Sequence, residues 1–138
     1  MVRKATTDDI DKLLSWSKLF HAASPYNTIE FDDEAITKVL LGLLTIGVVF
    51  VNEDGFVAGT LVPLMFNPSK VISVEMAWYC PGGNGKELRK AFEDWSQEQG
   101  ALGVQFSTLN NKYLSSLGDH LIQEGYSPIE VAYIKEFR

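Results

Sequence analysis

One segment constrains the fold more than any other. An apolar run ends at a proline, passes through a glycine-rich turn at residues 82–85, and opens into an amphipathic helix. In that helix Leu88, Phe92 and Trp95 recur at the spacing of one buried helical face, and Gly100 follows as a C-terminal cap. The pattern predicts a strand, a tight turn and a helix that packs against a sheet.

Such a turn suits a phosphate or a diphosphate. The helix N-terminus presents backbone N–H groups and the positive end of the helix dipole, and glycines let an anion approach the backbone. The sequence matches neither Gly-x-x-x-x-Gly-Lys-Ser/Thr nor Gly-x-Gly-x-x-Gly, so neither familiar nucleotide loop is indicated. The alternative interpretation is that the glycines only make a tight connection.

Length and charge narrow the class of protein. A chain of 138 residues can bury one core, which predicts a single domain over residues 1–138. The formal net charge of −6 argues against nucleic-acid binding and against anionic membranes, because both depend on basic patches. An acidic surface favours a cationic substrate or partner.

Cysteine and histidine are scarce in this chain. Cys80 is the only cysteine, so no intramolecular disulfide is expected. His21 and His120 lie far apart, so no metal site is expected either. Residues 1–8 contain no apolar signal segment, and the apolar run 40–51 is shorter than the about 20 residues of a membrane-spanning helix. We therefore expect a soluble, cytoplasmic protein.

Capping and turn signals divide the chain into helices and strands. Thr6 and Asp9 form a capping-box pattern ahead of the first helix. Asp32 is the expected N-cap of a second helix. Residues 52–55 predict a hairpin turn and residues 67–69 another. The expected strands are 2–4, 48–51, 56–65, 71–79, 102–107 and 129–137.

The predicted order is βααβββαβαβ. Asn110 or Asn111 would open the last helix and Gly125 would end it. Helices interleaved with an antiparallel run predict an α/β fold with a twisted mixed sheet of six to seven strands, covered by helices on both faces. Five residues of the second helix are expected to face inward: Ala35, Ile36, Val39, Leu40 and Leu43.

Several segments resemble the GNAT N-acetyltransferases, and the resemblance covers nearly the whole chain. They are the opening at residues 2–9, the hairpin at 52–59, the turn at 78–85 and the glycine-aromatic step at 125–128. Residues 20–26 and 66–69 are similar to short acetyltransferase-like proteins encoded by bacteriophages.

The resemblance implies that acetyl-CoA enters between the fourth and fifth strands. Backbone groups of Trp78 and Cys80 would pair with the pantetheine, and the N–H groups of the turn would hold the pyrophosphate. Asn111 is a further cofactor candidate, or simply an N-cap. The implied cofactor-binding residues are Trp78, Cys80, Gly82, Gly83, Asn84, Gly85, Lys86 and Asn111.

The chain departs from the family pattern in two places. Cys80 stands where the family usually has Arg or Gln, and the loop is short because Gly82 follows Pro81 at once. Leu121 stands four residues before Gly125, where the family often places a tyrosine that acts as the general acid. His120 is a possible replacement, but it points about 100° around the helix from that position, which favours the interpretation as a solvated histidine.

Glu75 is the candidate general base. It interrupts an apolar strand, and alternation predicts that it shares a face with Ser73, Ala77 and Tyr79. A partly buried carboxylate with a raised pKa could take a proton from an ammonium, directly or through water. The alternative is a carboxylate held in a structural pair or at a solvated margin.

Three residues lie where the resemblance implies the acceptor pocket: His21, Ser24 and Tyr26. The alternative is a helix C-terminus, where histidine favours the dipole and Ser-Pro stops the helix. Cys80 could be a nucleophile at a helix N-terminus, but no histidine is near it in the sequence, which favours a small packed residue.

The leading hypothesis is an acyl-CoA-dependent N-acetyltransferase that acts on a primary amine of a small molecule or a protein. The alternative is a GNAT-fold phage protein that has lost catalysis and binds another protein, as a virion component or an inhibitor of a host protein. A third is a CoA sensor without turnover. The apolar hairpin from Phe56 to Phe66 makes a homodimer plausible.

Overall fold

A computed structural model of the chain describes residues 1–109 and 115–137. The chain divides into two compact units, Met1–Ser107 and Thr108–Arg138. The strands are β1 (Arg3–Lys4), β2 (Gly47–Val51), β3 (Phe56–Leu64), β4 (Asn67–Tyr79) and β5 (Val104–Gln105). The helices are α1 (Ile10–Ala23), α2 (Asp33–Ile46), α3 (Gly85–Glu98) and α4 (Ser115–Gln123).

The first unit contains one mixed sheet in the order β1-β2-β3-β4-β5. The first four strands pair antiparallel with their neighbours, and β4 pairs parallel with β5. A parallel pair needs a crossover connection, and α3 supplies it. The α/β class and the mixed sheet predicted from the sequence are confirmed.

The predicted starts of the first two helices are confirmed, and the start predicted for the last helix at Asn110 or Asn111 lies outside the described residues. The Thr6 hydroxyl accepts the N–H of Asp8, and the Thr6 N–H donates to the Asp9 carboxylate at 2.8 Å. This capping box opens a 3₁₀ turn at Thr7–Asp9 that leads into α1. Asp32 caps α2 by accepting the N–H of Ala35 at 3.0 Å. Local side-chain acceptors therefore fix where both helices begin.

The sheet of the first unit buries apolar residues on both faces. On one face, Leu13 of α1 and Leu40 and Leu43 of α2 pack against alternate residues of β2 and β3. On the other, α3 contributes the residues predicted from its spacing: Leu88, Phe92 and Trp95. Helices on both faces of the sheet are thus confirmed for this unit.

The prediction for two residues of α2 was wrong. Ala35 and Val39 are exposed, while Ile36, Leu40 and Leu43 face inward. The buried stripe of α2 is narrower than the apolar pattern indicated, because the helix contacts the sheet along only part of its surface.

Two strand boundaries differ from the prediction. The second hairpin turns at Met65 and Phe66, since Leu64 pairs with Asn67, so the turn predicted at residues 67–69 lies inside β4. The β3–β4 register shifts between Pro63 and Leu64, where the proline has no N–H to give to the ladder. β5 has two residues instead of the six expected from residues 102–107. Val104 and Gln105 are in register with Ser73 and Val74, and Leu102 and Gly103 add backbone hydrogen bonds to Val71 and Ser73.

The second unit contains α4, and Gly125 follows it with a φ of +94°, as expected of a helix-ending glycine. The closing strand predicted at residues 129–137 was wrong: these residues form neither helix nor strand. A strand exists only when its backbone finds a ladder partner, which an apolar pattern cannot guarantee. The described residues thus give five strands, and the predicted six to seven are not confirmed.

No helix in the described ranges is both long and apolar enough to cross a membrane.

Gly59 tests how closely α3 packs on the sheet. A Cβ on Gly59 would collide with the Phe92 ring and lie 2.5 Å from the carbonyl oxygen of Val74. We expect Gly59→Ala to lower the free energy of unfolding by about 1–3 kcal/mol, because overpacking forces the helix outward. Urea unfolding measures this change.

Gly42 provides the matched control. It lies inside α2 with nothing within 4 Å of a new Cβ, so Gly42→Ala should raise stability by about 0.5–1 kcal/mol. Equal effects of the two substitutions would contradict the close packing of α3 at Gly59.

Candidate functional site

The glycine turn joins β4 to α3. Gly83 has a φ of +95°, which favours glycine, and its N–H donates to the carbonyl oxygen of Cys80 at 3.3 Å. The indole N–H of Trp78 donates to the carbonyl oxygen of Gly85 at 3.1 Å. The end of the strand therefore holds the first residue of the helix in place.

The first hairpin braces this turn through Asn52, which is 7% exposed. The Asn52 side-chain N–H donates to the carbonyl oxygen of Asn84 at 3.2 Å and to the Glu87 carboxylate at 2.9 Å. Its side-chain oxygen accepts the N–H groups of Asp54 and Gly55, each at 2.9 Å. One amide thus ties the β2–β3 turn to the start of α3.

Asp54 lies directly against the glycine turn. The Asn84 side-chain amide donates to the Asp54 carboxylate. A Cβ on Gly82 would lie 2.5 Å from the Asp54 Cγ atom, so only glycine permits this approach. By contrast, a Cβ on Gly83 would meet nothing within 4 Å. Sequence reasoning missed both Asn52 and Asp54 as site residues, because residues 52–55 carried only a hairpin signal.

The Cys80 thiol is half-buried and lies 4.0 Å from the side-chain oxygen of Asn52. Burial raises the pKa of this thiol. A raised pKa keeps the thiol protonated at neutral pH, which favours the packed-residue interpretation over a nucleophile.

A β-bulge sits in the middle of β4. Ala58 pairs with Ala77 and Gly59 pairs with Glu75, so Met76 is an extra residue. Glu75 lies before the extra residue and on the α3 face, opposite Gly59 and next along that face from Ser73, whose hydroxyl donates to that of Ser96 in α3.

The bulge corrects the face predicted by alternation. Ala77 and Tyr79 pack with the α1–α2 cluster, while Trp78 and Cys80 pack with the α3 cluster. Glu75 therefore shares a face with Ser73, as predicted, but not with Ala77 or Tyr79. The extra residue reverses the period-2 alternation along the rest of the strand.

The Glu75 carboxylate lies where the β4–β5 ladder stops. Val74 pairs with Gln105, and the next contact between the strands is the Ser107 N–H donating to Glu75 Oε1 at 3.1 Å. A continued parallel ladder would direct such an N–H to a backbone carbonyl. The side chain takes that role here, so the described ladder with β5 does not extend along residues 75–79.

Burial sets the protonation of Glu75. Its side chain is 8% exposed, and desolvation raises its pKa from 4.5 to about 7, although the Ser107 N–H opposes the shift. A carboxylate with this pKa can both accept and release a proton near neutral pH.

The candidate acceptor residues lie at the end of α1. His21 Nε2 lies 2.6 Å from the carbonyl oxygen of Ile29, and its ring packs 5.4 Å from that of Phe31. Ser24 is buried, donates to the carbonyl oxygen of His21 at 2.8 Å and accepts the N–H of Tyr26 at 3.1 Å. His21 and Ser24 thus hold the α1–α2 connection together, and the Tyr26 side chain is exposed.

An open cavity of about 510 Å³ lies beside this connection. Phe31, which contacts His21, is one of its lining residues. The others are acidic: Glu30, Asp32, Asp33 and Glu34. Three of these carboxylates already have partners: Asp33 is paired with Lys18, Glu34 with Lys38, and Asp32 caps α2.

The remaining site predictions concern the second unit. Asn111 lies outside the described residues, so its cofactor role stays a prediction. Leu121 lies in α4, and its carbonyl oxygen accepts the N–H of Tyr126 at 3.0 Å. His120 Nε2 lies 3.9 Å from the Glu124 carboxylate. Among the described residues, no group of three or more His, Cys, Asp or Glu side chains is arranged to hold a metal ion.

Comparison with known proteins gives structural likeness alone. No family model matches the chain, and no curated protein matches it in sequence.

Several solved structures superpose on nearly the whole chain. A predicted acetyltransferase from Clostridium acetobutylicum, in a structure with acetyl-CoA, has a TM-score of 0.74 at 16% identity over 99% of this chain and 95% of its own. An acetyltransferase from Trypanosoma brucei has a TM-score of 0.72 at 13% identity over 99% of both chains. A transcriptional regulator from Bacillus halodurans has a TM-score of 0.74 at 14% identity over 99% of both chains. Likeness at this level of identity establishes the fold, and the chain therefore has the fold of these acetyltransferases, as its resemblance to the GNAT family implied.

Proposed function

We propose that the chain is a GNAT-type N-acetyltransferase that moves an acetyl group from acetyl-CoA to a primary amine of a small molecule or a protein. The observation that carries the proposal is Glu75, a nearly buried carboxylate with a pKa of about 7 at the point where the β4–β5 ladder ends. The shared fold and the acetyl-CoA of the Clostridium structure support it.

In this proposal the donor lies along the end of β4. Backbone groups of Trp78 and Cys80 hold the pantetheine, and the turn from Gly82 to Lys86 holds the pyrophosphate. Two observations bear on the fit of that ligand. Open space at Gly83 and the start of a 14-residue helix favour an anion, whereas the Asp54 carboxylate against Gly82 opposes one.

Glu75 is the proposed base. Acetyl-CoA supplies an acetyl thioester, and the acceptor arrives as an ammonium ion that must lose a proton before its nitrogen can attack. The Glu75 carboxylate accepts that proton, directly or through water. A C–N bond then forms and the C–S bond breaks, and the sulfur leaves as a thiolate. The second proton that the nitrogen loses in becoming a neutral amide passes to water or to that thiolate. Because a thiol has a pKa of about 8.5, the thiolate is a competent leaving group without an acid at Leu121.

The acceptor end is proposed at the α1–α2 connection, with His21, Ser24 and Tyr26. The contacts of His21 and Ser24 support a positioning role, and the exposed Tyr26 ring is the one available to an acceptor. This group lies on the side of the sheet covered by α1 and α2, whereas Glu75 lies on the α3 face, so the acceptor proposal and the base proposal are independent and are tested separately.

A second function is favoured by one specific observation. The Asp54 carboxylate lies against Gly82 and Asn84 of the turn and would repel a diphosphate there, which is consistent with a protein that has lost donor binding and acts by binding another protein. The same fold occurs in a transcriptional regulator. The phage origin, the virion or inhibitor role, the cytoplasmic location and the CoA-sensor function stay predictions.

A homodimer is also proposed, through the tip of the second hairpin. Met65 and Phe66 are 81% and 93% exposed there. Pro63 lacks an N–H, so packing of these side chains is a better contact than edge-to-edge strand pairing.

Binding of acetyl-CoA is the first test. A ligand at about 100 times its Kd stabilises the folded state by about 2.7 kcal/mol, so millimolar acetyl-CoA should raise the thermal midpoint by several degrees. Gly83→Glu should abolish this rise by adding bulk and negative charge at the turn. Thermal unfolding with and without acetyl-CoA measures both effects.

Gly100→Glu is the matched control, because Gly100 also has a positive φ, of +77°, and open space around it, but follows the far end of α3. It should keep the acetyl-CoA response of the wild type. A Gly83→Glu protein that still responded normally would refute the assignment of the turn.

Glu75→Gln tests the base. The amide oxygen can still accept the Ser107 N–H, so the fold is kept while the proton acceptor is removed. We expect kcat to fall by about 10²–10⁴-fold with little change in acetyl-CoA binding, and the rise in rate through pH 7 to disappear. Steady-state kinetics against pH measures this, and the exposed Glu98→Gln serves as the control that keeps the wild-type profile. If Glu75 is only structural, Glu75→Gln will also keep the wild-type pH profile.

The raised pKa of Glu75 also predicts how the stability of the protein changes with pH, and Glu75→Gln tests it. Since burial raises the pKa of Glu75 from 4.5 to about 7, the folded state favours the protonated form, and this stabilisation is present below pH 4.5 and lost as pH rises to 7. Glu75→Gln is neutral throughout, so its stability relative to wild type should grow across that window by up to about 3 kcal/mol. Urea unfolding at pH 4.5 and pH 7.5 gives the difference; a constant difference would mean that the pKa is not raised.

A further inference from the structure

We infer that Asp54 acts as an internal anion on the glycine turn and thereby limits how tightly the turn holds a diphosphate. The inference rests on the proposed function, since it concerns the same acyl-CoA site. Asp54 lies outside the turn, in the β2–β3 hairpin, and thereby determines which donor molecules the site accepts.

The contacts of Asp54 resemble those of a bound anion. Its carboxylate accepts a hydrogen bond from the Asn84 side chain, and Asn84 is the residue directly before the first residue of α3. Its Cγ atom lies 2.5 Å from where a Cβ of Gly82 would stand, closer than any side chain at that position allows. The carboxylate thus meets the two features that were expected to receive phosphate: a glycine without a side chain and the start of a helix.

The hairpin fixes Asp54 in this position. The Asp54 N–H donates to the side-chain oxygen of Asn52, and the Asn52 N–H donates to the carbonyl oxygen of Gly55 at 3.1 Å. Asn52 is buried and also bonded to the turn, at the carbonyl oxygen of Asn84. Asp54 therefore reaches the turn from a braced backbone.

The negative charge of Asp54 affects which ligands the turn can bind. The Asp54 carboxylate and a diphosphate are both anionic, so they compete for the helix start and repel each other if both are near it. Glu87, in the first turn of α3, adds a further negative charge to the same region. A ligand without phosphate, such as acetyl-pantetheine, meets no such penalty.

Isothermal titration of three probes tests the inference: acetyl-CoA, inorganic pyrophosphate and acetyl-pantetheine. Asp54→Asn keeps the shape of the side chain and removes its charge. It should bind acetyl-CoA and pyrophosphate about tenfold more tightly than wild type and acetyl-pantetheine unchanged, because one like charge near the phosphates is removed. Glu98→Gln removes the same charge at the exposed far end of α3 and should change each affinity less than twofold.

A second variant tests the inference if the Asp54→Asn protein does not fold. Asn84→Ala removes the side chain that holds the carboxylate and keeps the backbone N–H, so it should also tighten acetyl-CoA binding. Equal or weaker binding of acetyl-CoA by both variants would overturn the inference, and so would an equal gain for acetyl-pantetheine.

The outcomes also separate this inference from the proposed function. If wild type binds acetyl-CoA and Asp54→Asn binds it no better, the inference fails and the proposed function stands. If only the variant binds acetyl-CoA, the inference is supported and the acetyltransferase function of the natural chain is refuted. If neither folded protein binds it, both fail.

Discussion

The bulge at Met76 is the feature on which the arrangement of the site depends. Before it, Ser73 and Glu75 face α3; after it, Ala77 and Tyr79 face α1 and α2. This one extra residue brings Trp78 to the α3 side, where its indole holds the first residue of that helix. It also leaves the Glu75 carboxylate at the end of the described ladder with β5. Without the extra residue, the period-2 alternation of β4 would place Ala77 and Tyr79 on the same face as Ser73 and Glu75.

Glu75 combines a structural and a chemical property in one contact. Its carboxylate accepts the Ser107 N–H that a continued ladder would satisfy with a carbonyl, and the burial that this position imposes raises its pKa to about 7. A hydrogen bond to the charged form alone would lower the pKa, so desolvation is the stronger effect. The structural interpretation of Glu75 therefore does not compete with the catalytic one, since the same burial produces both.

The glycine turn is better understood as half of a two-turn assembly. Asn52 bonds to both turns, and Asp54 contacts the glycine turn at Gly82 and Asn84. The turn keeps the features of an anion site, namely glycines and a helix start, yet it already holds a carboxylate of the same chain. Fold likeness to acetyltransferases establishes the fold of the chain, and the chemistry of the turn has to be argued from its own residues.

The sequence by itself determined the features that depend on neighbours within about four residues. The capping box at Thr6, the N-cap at Asp32 and the buried face of α3 were all readable, because each is a local hydrogen bond or a helical spacing. Only the tertiary structure decided the rest. The contact of Asp54 with Asn84 spans 30 residues, and the bulge at Met76 exists only in the register of β4 against β3. The two-residue length of β5 and the missing strand at residues 129–137 have the same origin. Strand pairing and long-range contacts depend on which distant segments of the chain pack against each other, and a local sequence pattern does not specify that packing.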